Sequence, residues 1–225
     1  GALIRFGNFM NSEIIGKPTG TDNGVVFARN VTDGIKFFGA PVEYIDYKER
    51  DEKLASYENG IPMNIYLTFT KDMQWGESEL NLFLDENLKR ALTTFNTVKE
   101  HVNEDVSRPL SYNYSVIDGR YVAAVKTLGI PRHPAQLYEA MSCVIIVVIL
   151  LVIWNKYKAD LPEGRLLGLF LILIFGLRFF YEFLKENQVA FEDDIPLNMG
   201  QWLSIPLVLI GVWILMRSYK GSPSK

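Results

Sequence analysis

Three long apolar stretches near the end of this 225-residue chain set its fold class. They cover residues of about 139–157, 165–184 and 199–219. Roughly 20 helical residues cross a bilayer core of about 30 Å, and each stretch is close to that length. The first stretch is rich in Val and Ile, as buried strands are, but it is too long for a strand. We therefore predict three transmembrane helices.

The charges between these stretches predict the orientation of the helices. Lys and Arg concentrate in the cytoplasmic loops of membrane proteins. The first link and the tail are basic, with Lys156, Lys158, Arg165, Arg217, Lys220 and Lys225. The second link is acidic, with Glu186, Glu192, Asp193 and Asp194 against Lys185. We therefore expect a cytoplasmic tail at 220–225, and expect residues 17–138 and the acidic link outside the membrane.

Residues 17–132 form a charged segment with the patterns of a soluble α+β domain. The recognisable segments are a strand at 62–70, an amphipathic helix from 78 to about 102, and strands at 110–117 and 121–128 around Asp118-Gly119. Asp-Gly between two such strands is a strong signal for a two-residue hairpin turn. The predicted fold class is a multi-pass α-helical membrane protein with an inserted α+β periplasmic domain.

The remaining composition narrows the function classes. The net charge of −3 argues against nucleic acid as a partner. Cys143 is the only cysteine, so no intrachain disulfide can form, and its apolar neighbours favour a packing role. We find no metal-ligand spacing. We expect His101 to be a solvated side chain at a helix end, and the charge run 49–53 to be a solvated loop.

Two charged residues interrupt the second apolar stretch. Arg178 follows a long uncharged run, and Glu182 lies four residues later on the same helical face. Charges at membrane depth are expensive and usually functional. One interpretation is an ion pair that snorkels to the outer surface. The other is an anion site in which the planar guanidinium fork binds a lipid phosphate and the carboxylate orients it.

The start of the chain has an unusual mixture of polar, apolar and glycine residues. Its order is Arg5-x-Gly7-Asn8-Phe9-x-Asn11-x-Glu13-x-x-Gly16. The alternative to a functional motif is a polar helix end that is capped by Asn and Gly and runs into a loop.

This order resembles the signature of the bacterial prolipoprotein diacylglyceryl transferases, and seven positions match. Three later blocks also resemble this family: Arg-His-Pro-Ala-Gln-Leu-Tyr-Glu at 132–139, Arg-x-x-x-Glu at 178–182, and Met-Gly-Gln-Trp-Leu-Ser at 199–204, which we expect to be architectural. The resemblance covers residues 1–16 and about 131–219 in matching order. The 17–132 segment departs from it.

The resemblance implies an enzyme of the bacterial inner membrane. Members of the family transfer the diacylglyceryl group of phosphatidylglycerol to the thiol of a lipobox cysteine in a prolipoprotein signal peptide. The product is a thioether, glycerol phosphate leaves, and no cofactor takes part. The implied partners are therefore phosphatidylglycerol, the prolipoprotein substrate and membrane lipids.

The resemblance also implies roles for individual residues. The implied catalytic residues are Arg5, Asn8, Glu13, Arg178 and Glu182, and the implied phosphatidylglycerol-binding residues are Arg5, Asn8, Asn11, Gly16 and Arg178. The two arginines would stabilise the leaving phosphate, and the acidic residues would pair with them. Gly16 would allow close backbone approach. His133, Gln136 and Tyr138 are candidates for supporting roles.

Other interpretations stay open at this point. The chain has no initial Met and begins inside the signature, so we expect that upstream membrane segments, and with them the family's important histidine, are absent and that this chain alone is inactive. The main alternative is a non-enzymatic, membrane-anchored periplasmic interaction module. A different glycerophospholipid enzyme with similar arginines is a third interpretation.

Overall fold

The computed structural model describes residues 1–37, 39, 41–50, 60–186 and 196–220. The chain divides into two compact units. One, the helical unit, consists of Gly1–Lys17 and His133–Lys225, and the other, the sheet unit, is Pro18–Arg132. The 51–53 part of the charge run, the acidic residues 192–194 and Lys225 lie outside the described residues.

The elements follow one another in the order α1 (Ala2–Met10), α2 (Ala28–Phe37), β1 (Val42–Glu49), β2 (Ile61–Phe69), α3 (Glu77–Leu82), a π-helical turn (Phe83–Leu88), α4 (Lys89–Thr94), α5 (Asn96–Lys99), β3 (Ser111–Ile117), β4 (Arg120–Gly129), α6 (Ala135–Tyr157), a 3₁₀ turn (Lys158–Asp160), α7 (Arg165–Tyr181), a 3₁₀ turn (Glu182–Leu184) and α8 (Met199–Lys220).

The three predicted apolar stretches are confirmed as helices. Among the described residues, three helices are long and apolar enough to cross a membrane: Ala135–Tyr157, Arg165–Leu184 and Met199–Tyr219. The first begins four residues earlier than predicted, since Pro134 immediately precedes it and suits a helix start. In the helical unit, α7 packs against α8, and α6 packs against both α1 and α7.

A pair of glycines brings α7 and α8 close together. A methyl group at Gly168 would lie 2.9 Å from the carbonyl oxygen of Gly211, so neither position has room for a side chain. Small residues permit such close helix contacts in membranes, where dispersion and packing replace the hydrophobic effect. At the α7 start, the Arg165 guanidinium lies over the ring of Tyr219, 4.4 Å from its centroid. A basic side chain thus lies where the start of α7 meets the end of α8.

The sheet unit contains a four-stranded antiparallel sheet with the order β1-β2-β4-β3. Alternate residues of β2 are buried, as the polar and apolar alternation of this strand predicts. Helical residues cover that face and complete one hydrophobic core, which includes Val31, Ile35, Ile65, Leu67, Phe69, Leu80, Leu84, Leu88, Leu92 and Val125.

The predicted hairpin is confirmed. Asp118 and Gly119 have φ angles of +52° and +76°, and they join β3 to β4 next to the paired residues Ile117 and Arg120. Two successive left-handed residues match the right-handed twist of the flanking strands, which explains the Asp-Gly preference. The strand predicted at 62–70 is also confirmed as β2, shifted by one residue.

The single helix predicted for 78–102 is wrong in its continuity. A π-helical turn interrupts the α-helix, and at Phe95 the backbone becomes extended, with ψ at 114°. There the Phe95 ring stacks on Phe37 at 5.5 Å, so tertiary packing overrides the local helical pattern. Strand β1 was not predicted. It ends at Glu49, inside the charge run, and its pairing with β2 places Lys48 and Glu49 in the sheet with exposed side chains.

The expectation that His101 is solvated is wrong. Only 1% of the His101 surface is exposed, so this residue is buried within the sheet unit. The Asn30 Nδ2 atom lies within hydrogen-bonding distance of His101 Nε2, at 2.9 Å. Burial, together with the nearby Arg132 charge, lowers the pKa of His101 to about 4. The imidazole is therefore a neutral structural group.

Candidate functional site

The signature segment forms a tight loop after α1. Ser12 and Ile14 both have a φ of +55°, and this left-handed conformation is costly for a β-branched residue such as Ile14. Strained backbone of this kind persists only where surrounding contacts hold it, and it clusters at functional sites. Contacts with other segments of the helical unit hold this loop.

The residues at and just before the start of α6 hold the loop in place. The Gln136 side chain is buried and donates from Nε2 to the carbonyl oxygen of Glu13 at 2.6 Å. A methyl group at Gly16 would lie 2.3 Å from the His133 carbonyl oxygen and 3.0 Å from the Leu184 carbonyl oxygen. Gly16 therefore allows close backbone approach, as expected, and the groups that approach it are protein carbonyls.

A chain of ion pairs links the loop helix to α6 and α7. Arg5 Nε lies 2.5 Å from Glu139 Oε2. Lys185 contacts the carboxylates of both Glu139 and Glu182, with Nζ 2.8 Å from Glu182 Oε1. Glu182 Oε1 in turn lies 3.7 Å from Arg178 Nε. We call these five residues the ion-pair chain, and its three cations and two carboxylates leave one positive charge.

Exposure differs sharply along the ion-pair chain. The side chains of Glu139 and Glu182 are each 8% exposed, and the side chain of Lys185 is 2% exposed. The arginines at its two ends are more open, at 20% for Arg5 and 39% for Arg178. Burying charges is tolerated only with close pairing. The central three charges therefore hold one another, while the terminal guanidinium groups remain accessible to a ligand.

Both arginines line one cavity of about 200 Å³. We call it the arginine cavity, and its described lining is Gly1, Arg5, Glu139, Ser142, Cys143, Ile146, Ile174, Phe175, Leu177, Arg178 and Tyr181. Charged and hydroxyl groups thus share this cavity with aliphatic and aromatic side chains. Such a lining matches an amphiphile that joins an anionic head to an apolar body.

The start of α8 positions Glu182. A methyl group at Gly200 would lie 2.5 Å from the Glu182 carboxyl carbon, so only glycine leaves room for this side chain. The Asn198 side chain donates to Glu182 Oε2 at 3.2 Å. Asn198 and Gln201 each accept a hydrogen bond from the other's backbone N–H. This block, which the sequence indicated as architectural, therefore orients an ion-pair carboxylate.

Of the residues predicted for the site, Arg5 and Arg178 line the arginine cavity together. Glu182 contacts Arg178. The described lining of the arginine cavity does not include Asn8, Asn11 or Glu13. The Asn8 carbonyl accepts from the Glu13 N–H at 2.9 Å, and the Asn11 N–H donates to Gly7, so their backbones shape the loop.

The supporting candidates have distinct positions. His133 Nδ1 lies 3.5 Å from the Tyr138 hydroxyl, at the limit of a hydrogen bond. The Tyr138 ring in turn lies 6.4 Å from that of Tyr181, which lines the cavity. Gln136 contacts the loop, as described above. These residues thus surround the site without belonging to the described cavity lining.

Sequence reasoning missed two members of the ion-pair chain. From the sequence alone, Glu139 has no predicted role beyond its place in the 132–139 block, although it is the carboxylate that pairs with Arg5. Lys185 was counted only as a loop charge, although its position three residues after Glu182 was a usable signal for pairing. Among the described residues, no group of three or more His, Cys, Asp or Glu side chains is placed to hold a metal ion.

Comparison with known proteins addresses the family directly. The family model described as prolipoprotein diacylglyceryl transferase matches residues 1–217. The chain belongs to the prolipoprotein diacylglyceryl transferase family. The match includes the 17–132 segment, where the sequence alone carried no resemblance, so this segment lies within the family's own range.

Curated relatives match shorter parts of the chain. A phosphatidylglycerol–prolipoprotein diacylglyceryl transferase of Bacteroides fragilis is 53% identical over 85 residues, which are 38% of this chain and 31% of the relative. The transferase of Chloroherpeton thalassium is 43% identical over 91 residues, 40% of the chain and 34% of the relative. The transferase of Chlamydia caviae is 38% identical over 127 residues, which are 54% of this chain and 42% of the relative.

The chain therefore matches about a third of the length of the Bacteroides fragilis and Chloroherpeton thalassium relatives. No solved structure matches the chain.

Proposed function

We propose that this chain acts in the transfer of a diacylglyceryl group from phosphatidylglycerol to the cysteine thiol of a prolipoprotein lipobox, the first step of bacterial lipoprotein maturation. The observation that carries the proposal is that Arg5 and Arg178 line one cavity with an otherwise largely apolar wall. The names of the relatives supply the two substrates, phosphatidylglycerol and a prolipoprotein.

The reaction needs positive charge at the leaving phosphate. The cysteine sulfur attacks the glyceryl carbon that bears the phosphate, a C–S bond forms, and the C–O bond breaks. The electron pair of that bond leaves with glycerol phosphate, whose oxygen gains charge in the transition state. Two guanidinium groups fixed beside that oxygen stabilise the transition state more than the ground state.

The buried part of the ion-pair chain supports this role. Glu139 and Glu182 fix Arg5 and Arg178, and Lys185 fixes both carboxylates. Pre-oriented charges need not reorganise when the reaction occurs, and small misplacements cost large factors in rate. The net charge of +1 over these five residues suits a phosphodiester, which carries one negative charge.

The thiol proton must leave for the sulfur to attack, because a free cysteine has a pKa of about 8.5. The described lining of the arginine cavity contains no histidine. We therefore assign the lipid-binding half of the chemistry to the arginine cavity. Asn8, Asn11 and Glu13 shape the loop that carries the site. Gln136 and Tyr138 support it from α6, and His133 supports it from the residues just before this helix.

We also propose a membrane arrangement. The three apolar helices span the bacterial inner membrane as part of a multi-pass protein, and the basic end with Arg165 and Arg217 faces the cytoplasm. The ion-pair chain then lies at the outer side, where phospholipid and secreted substrate meet. Residues 17–132 form a periplasmic inserted domain, and the 220–225 tail is cytoplasmic.

Thioether formation tests the proposal. The native protein that carries this sequence is incubated in membranes with labelled phosphatidylglycerol and a lipobox peptide, and the lipidated peptide is measured. Arg178→Ala is expected to reduce transfer about 100-fold or more, because a preorganised charge contact at the transition state is lost. Arg217→Ala, at the basic end, is the matched control and retains activity. Unchanged transfer in Arg178→Ala, with the protein inserted in the membrane, contradicts the proposal.

A further inference from the structure

A hydroxyl pair lies in the arginine cavity beside the two guanidinium groups. Ser142 on α6 and Tyr181 at the end of α7 both line it, and the Ser142 Oγ lies 2.5 Å from the Tyr181 hydroxyl oxygen. The chemistry derived above for the phosphate uses neither residue. The two hydroxyl groups thus lie together among the apolar and cationic side chains of this cavity.

The direction of these hydrogen bonds follows from counting protons. Ser142 Oγ donates its only proton to the Tyr138 carbonyl oxygen, four residues earlier on α6, at 2.7 Å. The short contact with Tyr181 therefore uses the phenolic proton, with Ser142 Oγ as acceptor. The Tyr181 hydroxyl then donates its proton to Ser142, and its oxygen can still accept a hydrogen bond from another group. Ser142 thus makes Tyr181 an acceptor of hydrogen bonds.

An acceptor complements the other polar groups of the arginine cavity. Arg5 and Arg178 can only donate, and they suit the oxygens of a phosphate. The Tyr181 oxygen suits a donor attached to that phosphate. An ammonium donor is disfavoured, because the ion-pair chain already carries one excess positive charge. A neutral hydroxyl carries no such penalty.

We infer that Tyr181, oriented by Ser142, is a specificity residue that accepts a hydrogen bond from a hydroxyl on the head group of the bound anionic phospholipid. The inference rests on the proposed function, since it assumes that the two arginines bind the lipid phosphate. It deepens that function by naming the group that distinguishes a hydroxylated head group from other phosphodiesters.

The test compares a lipid whose head group carries hydroxyls with a lipid of the same charge whose head group carries none. Phosphatidylglycerol and phosphatidylmethanol are both phosphodiesters with one negative charge, but phosphatidylmethanol has no hydroxyl donor. The chain is placed in nanodiscs of phosphatidylcholine, and its affinity for each lipid is measured by native mass spectrometry. The unsubstituted chain is expected to favour phosphatidylglycerol about 5- to 10-fold, the range of one well-formed hydrogen bond.

Tyr181→Phe removes the acceptor and keeps the ring. It is expected to bring the ratio of the two lipid affinities close to one and to leave the affinity for phosphatidylmethanol unchanged. A preference that survives in Tyr181→Phe overturns the inference, and so does an equal weakening for both lipids, which indicates a structural role. A wild-type chain without preference overturns it as well.

Two serine variants decide the question if Tyr181→Phe fails to fold. Ser142→Ala leaves the phenolic proton uncommitted and is expected to reduce the preference, whereas Ser142→Thr retains the hydroxyl and the preference. Equal preferences in the two variants contradict the inference. The proposed function fails separately: if Arg178→Ala leaves the affinity for both lipids unchanged, the arginines do not bind the phosphate, whatever Tyr181 does.

Discussion

The Nε atom of Arg5 lies 2.5 Å from the Oε2 atom of Glu139. The arginine comes from the helix that opens the chain, and the carboxylate comes from the first turns of an apolar helix that begins at Ala135. Glu139 is almost fully buried, whereas Arg5 retains access to the arginine cavity. The carboxylate thus holds the guanidinium in place without blocking it.

We expect Glu139→Gln to impair lipid transfer through loss of position. The amide cannot balance Arg5 and Lys185, so the buried lysine loses half of its compensation and Arg5 loses its anchor. Transfer in the native protein should fall about 10- to 100-fold, as misplacement of a binding group typically costs. Glu163→Gln, in the exposed turn before α7, is the control. Equal activity of the two variants contradicts the anchoring role of Glu139.

Gly200→Ala is expected to displace the Glu182 carboxylate. The new methyl group would lie 2.5 Å from the Glu182 Cδ atom, so the side chain must move away from Arg178. We predict at least a 10-fold loss of transfer, with helix content retained. Gly176→Ala is a matched control on α7, because a methyl group there meets nothing within 4 Å. A similar loss in both variants would mean that general destabilisation, and not Glu182, explains the effect.

The sequence predicted what depends on local pattern. Long apolar runs, the alternation of β2 and the Asp-Gly turn each report a neighbourhood of a few residues, and all three were confirmed. Partners across the fold could not be derived in this way. The pairing of Arg5 with Glu139 depends on how α1 packs against α6, and no spacing along the chain encodes it.

The burial of His101 was missed for a related reason. A histidine at a helix end is usually solvated, and only the packing of the sheet unit around Asn30 encloses this one. Packing across the fold also explains why the helix ends at Phe95. The leucine spacing predicts a helix up to this point, but the Phe95 ring stacks on Phe37 and the backbone becomes extended.

The buried His101 predicts acid sensitivity of the sheet unit. Its pKa in the folded chain, about 4, lies below the unfolded value of 6.5, so folding favours the neutral form. The stabilisation is complete above pH 6.5 and is lost as the pH falls from 6.5 to 4, to a limit of about 3 kcal/mol. Limited proteolysis within 18–132, followed by mass spectrometry from pH 7 to 4, measures this. His101→Gln should abolish the His-dependent part of the loss. An equally steep loss in that variant contradicts the assignment.

Gly34 and Val98 should be energetically coupled. A methyl group at Gly34 would lie 2.1 Å from Val98 Cγ2, so Gly34→Ala overpacks the contact between α2 and α5 and should cost about 1–3 kcal/mol. In the double variant with Val98→Ala, the shortened side chain makes room for the methyl group. The total loss should therefore be smaller than the sum of the single losses. Hydrogen exchange of the β2 amides reports these free energies, and additive losses would contradict the contact.

The central claim is that Arg5 and Arg178 bind one phosphate. A double-mutant cycle for phosphatidylglycerol affinity in nanodiscs tests it most directly, with Arg5→Ala, Arg178→Ala and the double variant, and with Arg165→Ala as a control. Each single change should weaken binding about 10-fold or more, as for other charge-assisted contacts, and the double variant should weaken it far less than the product of the two. Independent effects that multiply, or a single variant with unchanged affinity, would contradict the claim.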